Sequence, residues 1–318
     1  MRKKIKRQIE KWEKGKRDEE NTGIGNQEMG TPMRTTMTGA GLLARAYPKR
    51  AEWSFKGDHG KVLVVGGSAE YTGSPIFNCM AAYAAGADLV TLLAPKRAAN
   101  VAANFAPEII APPLQGDFLR PAHVKTIICF AKKADAMVIG GGLGRKPKTK
   151  DAFFEIMEKT EIPAVVDADA LRFAAGEPEK MIGRKKMLLT PHAGELAALA
   201  GVKKISSDVE ERVKISKSMA KKFGSVVFLK GAIDVVTDGS KTAFDCEGSP
   251  YLTKGGVGDV AAGVCGALLA RGLSPFDAAA TAAYMVGKAG KNAAKERGES
   301  LLPTEIIGKI ARIIPKSH

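Results

Sequence analysis

One glycine-rich turn carries residue types suited to phosphoryl transfer. Gly255, Gly256 and Gly258 stand directly before Asp259, and a run of small apolar residues follows. Successive backbone amides at a helix N-terminus form a hole for an anion, so these glycines could hold a phosphoryl group while its charge moves. The Asp259 carboxylate would then be placed to accept a proton from a hydroxyl group. The alternative is an aspartate that only stabilises the helix dipole.

Two other glycine-rich turns could bring the backbone close to a ligand. Residues 66–75 read Gly-Gly-Ser-Ala-Glu-Tyr-Thr-Gly-Ser-Pro, and residues 140–145 read Gly-Gly-Gly-Leu-Gly-Arg. The first could equally be a tight turn between a strand and a helix. Ordering the many glycines of the second costs backbone entropy that a mere connection would not require, which favours ligand contact there. Residues 39–44 fit the spacing of a dinucleotide-binding fingerprint but follow no strand, and the sequence contains no P-loop.

Polar residues follow three more apolar runs. Asp167 and Asp169 come where a strand gives way to a helix, where we expect one to cap the helix while the other could face magnesium and phosphate. His192 and Glu195 lie on a helix-opening turn, which favours a role in a site over a purely structural one. Lys230 ends a further strand, either as a phosphate contact or as an ordinary exposed strand end.

The elements that must position these residues alternate along the chain. Apolar runs predict strands at 61–65, 89–93, 137–139, 164–166, 187–189 and 226–229, with helical stretches between them. Such strands indicate a mostly parallel sheet covered by helices on both faces. Residues 234–244 predict a hairpin, and hence an antiparallel edge. Ser274 and Asp277 predict a capped helix start just after Gly272 closes another helix. Since open parallel sheets bind ligands at the carboxyl ends of their strands, the polar turns are expected at one edge.

The chain divides into a short basic segment and one large domain. Ile5, Ile9 and Trp12 would line one face of an N-terminal helix that packs on the main body or on another protomer. Residues 21–38 lack periodicity and contain Pro32, which indicates a linker. We therefore expect a helix and linker over 1–40 and an α/β domain over 41–318.

Composition excludes several classes of protein. The 318 residues include four cysteines without C-x-x-C spacing, which does not indicate a disulfide framework or a zinc site. No signal peptide or run of about eighteen apolar residues occurs, so we expect a cytoplasmic protein without membrane partners. The net charge of +15 comes from 49 basic and 34 acidic residues spread over the chain. No nucleic-acid-binding motif accompanies it, which leaves nucleic-acid binding a minor alternative and fits a phosphate-rich ligand.

The order of these motifs resembles the ribokinase-like superfamily and, within it, the ADP- or ATP-dependent NAD(P)H-hydrate dehydratases. The resemblance runs from about Lys56 to Ile310. It is carried by residues 56–60, 66–68, 71–75, 84–90, 141–145, 167–171, 189–195, 230–231 and 255–259. The glycine turn ending at Asp259 belongs to the wider superfamily, whereas the turns at 71–75 and 190–195 are more specific.

The resemblance implies a lyase that repairs damaged cofactor. Hydrated NADH or NADPH would be phosphorylated on its ring hydroxyl by ADP or ATP, and loss of phosphate would restore the ring double bond. Mg²⁺ would assist, and the chain would form a homo-oligomer.

The resemblance also implies roles for single residues, and these overlap. Asp259 would be the base, with Gly255, Gly256 and Gly258 as the anion hole. The nucleotide would contact Lys230, Gly231, Ala232, Ile233, Asp234 and Gly258. The hydrated dinucleotide would contact Ser74, Gly142, Gly144, His192 and Asp259. Glu195 and Asp167 would lie near magnesium, directly or through water.

The sequence departs from its relatives at three points. Many relatives have Ser-His-Lys-Gly where residues 54–57 of this chain read Ser-Phe-Lys-Gly. Many relatives have alanine where this chain has Ser74, which affects one substrate contact. Many also carry an N-terminal epimerase domain, and residues 1–55 are too short for one, so we expect any epimerase to be a separate chain. The alternatives are a kinase of the same fold that acts on a vitamin precursor or a sugar, and a nucleotide-sensing or nucleic-acid-binding protein without turnover.

Overall fold

The computed structural model describes residues 9, 35–184 and 186–315. Within them the strands are β1 (Thr35–Met37), β2 (Lys61–Val65), β3 (Leu89–Pro95), β4 (Pro113–Leu114), β5 (Ala136–Ile139), β6 (Ala164–Val166), β7 (Met187–Leu189), β8 (Val226–Leu229), β9 (Asp234–Thr237) and β10 (Thr242–Asp245). The helices are α1 (Gly41–Ala46), α2 (Gly73–Ala84), α3 (Lys96–Phe105), α4 (Val124–Ala131), α5 (Pro147–Lys159), α6 (Asp169–Gly176), α7 (Ala193–Ala200), α8 (Val209–Phe223), α9 (Val257–Ala270), α10 (Pro275–Arg297) and α11 (Pro303–Ile310).

The strands form one sheet in the order β1-β10-β9-β8-β7-β6-β5-β2-β3-β4. Strand β9 runs antiparallel to both β8 and β10, and the other neighbouring pairs are parallel. The predicted hairpin is therefore confirmed, although the outermost strand at that end is β1 rather than a hairpin strand. The prediction of a mostly parallel sheet is confirmed as well.

Both faces of the sheet are buried, which explains why its strands are continuously apolar. Val62 and Val64 of β2 belong to one core cluster, together with residues of α2, α9 and α10. Leu63 and Val65 belong to a second cluster with residues of α5, α6 and α8. Successive side chains of a strand point to opposite faces, so each helix layer receives every second residue.

The N-terminal region differs from the prediction at one point. Residues 35–37 were expected to be linker, but Thr35–Met37 pairs in parallel with β10, so that prediction is wrong for these three residues. Such a pairing uses backbone groups alone and needs no apolar periodicity. Ile9 is helical and 2% exposed in the second core cluster, whereas Ile5 and Trp12 lie outside the described residues.

The helix signals near the C-terminus are confirmed. Gly272 has a φ of +90°, and the Ser274 hydroxyl accepts a hydrogen bond from the Asp277 amide at 3.1 Å. No helix in the described part of the chain is long and apolar enough to cross a membrane.

Candidate active site

Five neighbouring strands, β8-β7-β6-β5-β2, end at the same edge of the sheet and lead into the predicted polar turns. The chain passes from β2 to β3 on one side and returns to place β5 on the other side. This reversal opens a crevice between the turns after β2 and β5, which is where ligands bind to open α/β sheets.

A cavity of about 780 Å³ occupies this crevice. Its lining comes from the two turns and the start of α6: Glu70, Tyr71, Thr72, Gly73, Ser74, Gly142, Gly144, Arg145 and Asp169. The cavity therefore brings together Ser74, Gly142 and Gly144 from the predicted substrate set. His192 and Asp259 do not line it, although Asp259 reaches it through a hydrogen bond.

Asp259 lies in the first turn of α9 and meets the cavity at Ser74. The Ser74 hydroxyl donates a short hydrogen bond to Asp259 Oδ1, and Asn78 Nδ2 donates to the Asp259 backbone oxygen at 2.7 Å. Burial and the negative charge of Asp167 raise the pKa of Asp259 to about 7. A carboxylate that titrates near neutral pH is suited to accept a proton during catalysis.

Gly141 is required by this contact, and the sequence did not single it out from its neighbours. A Cβ at position 141 would lie 2.3 Å from Ser74 Oγ and 2.9 Å from Asp259 Oδ1. Asn78 was also missed, although a buried polar residue on an otherwise apolar helix face is a usable signal. The turn after β5 therefore packs directly on the carboxylate rather than merely connecting two elements.

The glycines before Asp259 serve different purposes. Gly256 caps α9 with a φ of +96°, and a Cβ there would lie 2.7 Å from the Phe77 ring. A Cβ on Gly255 would have no other atom within 4 Å, so the space beside this glycine is open. A Cβ on Gly258 would lie 3.1 Å from Lys230 Nζ, which places the lysine ammonium beside the N-terminus of α9.

Lys230 forms a buried ion pair with Asp167. Its Nζ donates to Asp167 Oδ1 at 2.8 Å, and the Thr190 hydroxyl donates to the same oxygen at 2.8 Å. Burial alone would lower the pKa of Lys230, but the negative charges of Asp167 and Glu195 outweigh it and raise that pKa. Lys230 is therefore a fixed cation that faces three carboxylates, including Asp259.

His192 caps helix α7. Its Nδ1 accepts from the backbone amides of Gly194 at 3.0 Å and Glu195 at 3.2 Å, while Glu195 Oε2 accepts from the His192 amide at 2.9 Å. This reciprocal capping box leaves the other ring nitrogen 3.4 Å from Glu195 Oε1. Burial, followed by the charge of Lys230, lowers the pKa of His192, so the ring is neutral at pH 7. Burial raises the pKa of Glu195 to about 7.

The aspartates after β6 do not cap α6, so the prediction that one of them does is wrong. The N-cap residue is Ala168, without a side-chain cap, and Asp169 Oδ2 instead accepts from the Gly144 amide at 2.9 Å. Ala168 has φ +51° and ψ −122°, a strained backbone for a residue with a side chain. With this backbone conformation at Ala168, Asp167 faces Lys230 and Asp169 faces the turn after β5.

The turn after β8 exposes backbone at the same edge. Gly231 and Ala232 are exposed, Ile233 is buried, and the Gly231 amide donates to Asp234 Oδ1 at 2.8 Å. Burial and the charge of Asp245 raise the pKa of Asp234 to about 8.

No group of three or more potential metal ligands is found among the residues that the structure describes. Asp167 and Glu195 nevertheless supply two carboxylates close to Lys230. Mg²⁺ is commonly held by one or two carboxylates, with phosphate and water completing its shell, so this donor set fits Mg²⁺ only together with a nucleotide.

Comparison with known proteins points to one enzyme family. The family model described as NAD(P)H-hydrate dehydratase matches residues 62–312. The bifunctional NAD(P)H-hydrate repair enzyme of Pyrobaculum aerophilum is 38% identical over 84% of this chain and 53% of its own length. The chain thus spans about half the length of that relative. It covers 97% of the ADP-dependent (S)-NAD(P)H-hydrate dehydratase of Nitrosopumilus maritimus, at 34% identity over 88% of this chain.

A solved structure shares the fold. The Bacillus subtilis ADP/ATP-dependent NAD(P)H-hydrate dehydratase, co-crystallised with ATP and Mg²⁺, aligns with a TM-score of 0.72 and 21% identity. The alignment covers 89% of this chain and 98% of the other. This likeness shows the ribokinase-like architecture alone.

Proposed function

This chain belongs to the NAD(P)H-hydrate dehydratase family, and on that premise we propose that it returns hydrated NADH or NADPH to the normal cofactor at the expense of ADP or ATP. The observation that carries the proposal is the Ser74–Asp259 contact. It places a carboxylate with a pKa near 7 at the cavity between the turns after β2 and β5.

The first step is phosphoryl transfer. Asp259 accepts the proton of the ring hydroxyl as that oxygen bonds to the terminal phosphorus of the nucleotide, and the bond from phosphorus to its bridging oxygen breaks. ADP leaves as AMP, or ATP leaves as ADP. The amides of Gly255, Gly256 and Gly258 and the Lys230 ammonium stabilise the charge on the phosphoryl oxygens.

The second step is elimination. The carbon–oxygen bond to the new phosphate breaks, the adjacent ring carbon gives its proton to the departing phosphate or to water, and the double bond re-forms. Water is lost overall, and its oxygen leaves as part of inorganic phosphate. Phosphate is a far better leaving group than hydroxide, so phosphorylation makes the elimination faster, and cleavage of the phosphoanhydride bond of the nucleotide supplies the driving force.

The remaining assignments follow the positions of the residues. We place the hydrated dinucleotide against Ser74, Gly142 and Gly144, which line the cavity. His192 does not line it and stays a substrate contact on the family resemblance alone. We place the nucleotide along Lys230 to Asp234 and Gly258. Asp167 and Glu195 would hold Mg²⁺, which would neutralise phosphate charge when bound. ADP is our first choice of co-substrate, because the N. maritimus relative of similar length carries that dependence in its name. We also keep the homo-oligomer and a separate epimerase partner as proposals.

The test incubates the protein with Mg²⁺, hydrated NADH or NADPH, and either ADP or ATP. Recovery of the near-ultraviolet absorbance of reduced nicotinamide, with one phosphate released per ring restored, is the expected result. Nucleotide consumption without regained absorbance would indicate a kinase of the same fold. Neither change, with either nucleotide, would contradict the proposal.

A further inference from the structure

A second, smaller cavity of about 310 Å³ adjoins the first, and Arg145 lines both. Its other lining residues are Pro147, Lys150, Arg172 and Phe173. Three of the five are cations and none is an acid. Phe173 is almost fully buried and gives the cavity an apolar base.

The three cations of this basic cavity, Arg145, Lys150 and Arg172, are only partly paired with acidic residues. Arg145 is 3.5 Å from Asp169 Oδ1 and keeps 64% of its side chain exposed. Lys150 forms an ion pair with Glu177, which also pairs with Lys180. Among the described residues, Arg172 has no ion-pair partner, and its side chain is exposed.

The start of helix α5 adds positive charge at the same place. Its first turn carries Lys148 and Lys150 and no acidic residue, and Lys146 stands at the N-cap without a side-chain cap. Helix N-termini are positive and are normally stabilised by acidic residues, so cations here oppose the helix dipole. A bound anion would relieve both the dipole and the clustered side chains.

We propose that the basic cavity binds a phosphate group of the dinucleotide substrate, remote from the reacting ring. This inference rests on the proposed function. Both Ser74, beside Asp259, and Arg145 line the large cavity, and Arg145 also lines the basic cavity, so the two cavities form one continuous depression. A dinucleotide has two phosphate-bearing positions that could reach there, the diphosphate bridge and the 2′-phosphate that only NADPH-hydrate carries. A guanidinium group can form bidentate hydrogen bonds with the oxygens of either phosphate group.

The test is the Arg172→Ala variant, because Arg172 is exposed and forms no ion pair among the described residues. We expect about a tenfold rise in KM, which corresponds to one charge-assisted contact, with kcat unchanged. A rise for NADPH-hydrate alone assigns the 2′-phosphate, and an equal rise for both hydrates assigns the diphosphate bridge. Arg312→Ala is the matched control, since Arg312 is likewise an exposed arginine but lines neither cavity.

Two results would overturn the proposal. The first is KM values for both hydrates that match the wild type. The second is a rise confined to the KM of the nucleotide, which would place the phosphate on the co-substrate. Equilibrium binding of NADH and NADPH, followed by their fluorescence, should show the same order of effects without turnover. A wild-type protein that restores neither hydrate would contradict the proposed function itself, which distinguishes the two failures.

Discussion

Replacing Ser74 with alanine should move the pH dependence of catalysis toward alkaline pH. The Ser74 hydroxyl donates a hydrogen bond to the Asp259 carboxylate, and a bond to the ionised form lowers a pKa. Its loss therefore raises the pKa of Asp259, which already stands at about 7 because of burial and the charge of Asp167. Since Asp259 must be ionised to accept a proton, activity at neutral pH should fall.

The size of the shift follows from one hydrogen bond. A hydrogen bond to a charged group contributes about 1.5–3 kcal/mol, and one pKa unit corresponds to about 1.4 kcal/mol, so the pKa should rise by roughly one to two units. Asp259 would change from about half ionised at pH 7 to about 1–10% ionised. We therefore expect kcat/KM at pH 7 to fall about fivefold to fiftyfold and to recover at alkaline pH.

The assay is kcat/KM for the hydrated cofactor between pH 5.5 and pH 9.5. Burial also raises the pKa of Glu195 to about 7. Glu195 is present in both enzymes, so the displacement of the acidic limb between the two profiles reports the loss of the Ser74 hydroxyl. Ser68→Ala is the control, because Ser68 lies in the same turn and bonds to the Tyr71 amide instead. An acidic limb that stays in place, or moves to lower pH, would refute the reasoning.

Three further substitutions test the surrounding geometry. Lys230→Met leaves Asp167 as a buried unpaired charge, so the free energy of unfolding should fall by about 3–5 kcal/mol, and an unchanged denaturation midpoint would contradict this. Gly141→Ala puts a Cβ 2.3 Å from Ser74 Oγ, so kcat should fall at least about tenfold while calorimetry shows unaltered nucleotide binding. His192→Ala removes the cap of α7 and should cost about 1 kcal/mol, whereas His192→Asn should restore stability but not substrate affinity; equal stabilities would argue against a capping role.

Much of the fold follows from the sequence because its strands are buried on both faces. Short continuous apolar runs between helical stretches, such as Ala164–Val166 and Val226–Leu229, favour buried strands, and the structure has both strands with those bounds. The edge strand Thr35–Met37 could not be found in this way. Its residues are polar or exposed, and only the pairing with β10 makes them a strand.

The sequence predicted which residues belong to the candidate site better than it predicted the contacts between them. Strand ends and glycine turns marked Ser74, Lys230 and Asp259, since the carboxyl ends of parallel strands share an edge. Which side chains meet depends on the packing of α9 against α2 and on backbone strain at Ala168, and neither has a sequence signature. His192 is an example, because the sequence predicted a role in the site but not that its ring accepts hydrogen bonds from two amides of its own helix.

The most direct test of the account is the Asp259→Asn variant in the absorbance assay with hydrated NADH, Mg²⁺ and ADP or ATP. Asparagine keeps the size of the side chain but cannot accept the hydroxyl proton, so turnover should fall by about 10²–10⁴-fold. Nucleotide binding, measured by calorimetry, should remain close to that of the wild type. A variant that restores the cofactor at the wild-type rate would contradict the assignment of Asp259 as the base.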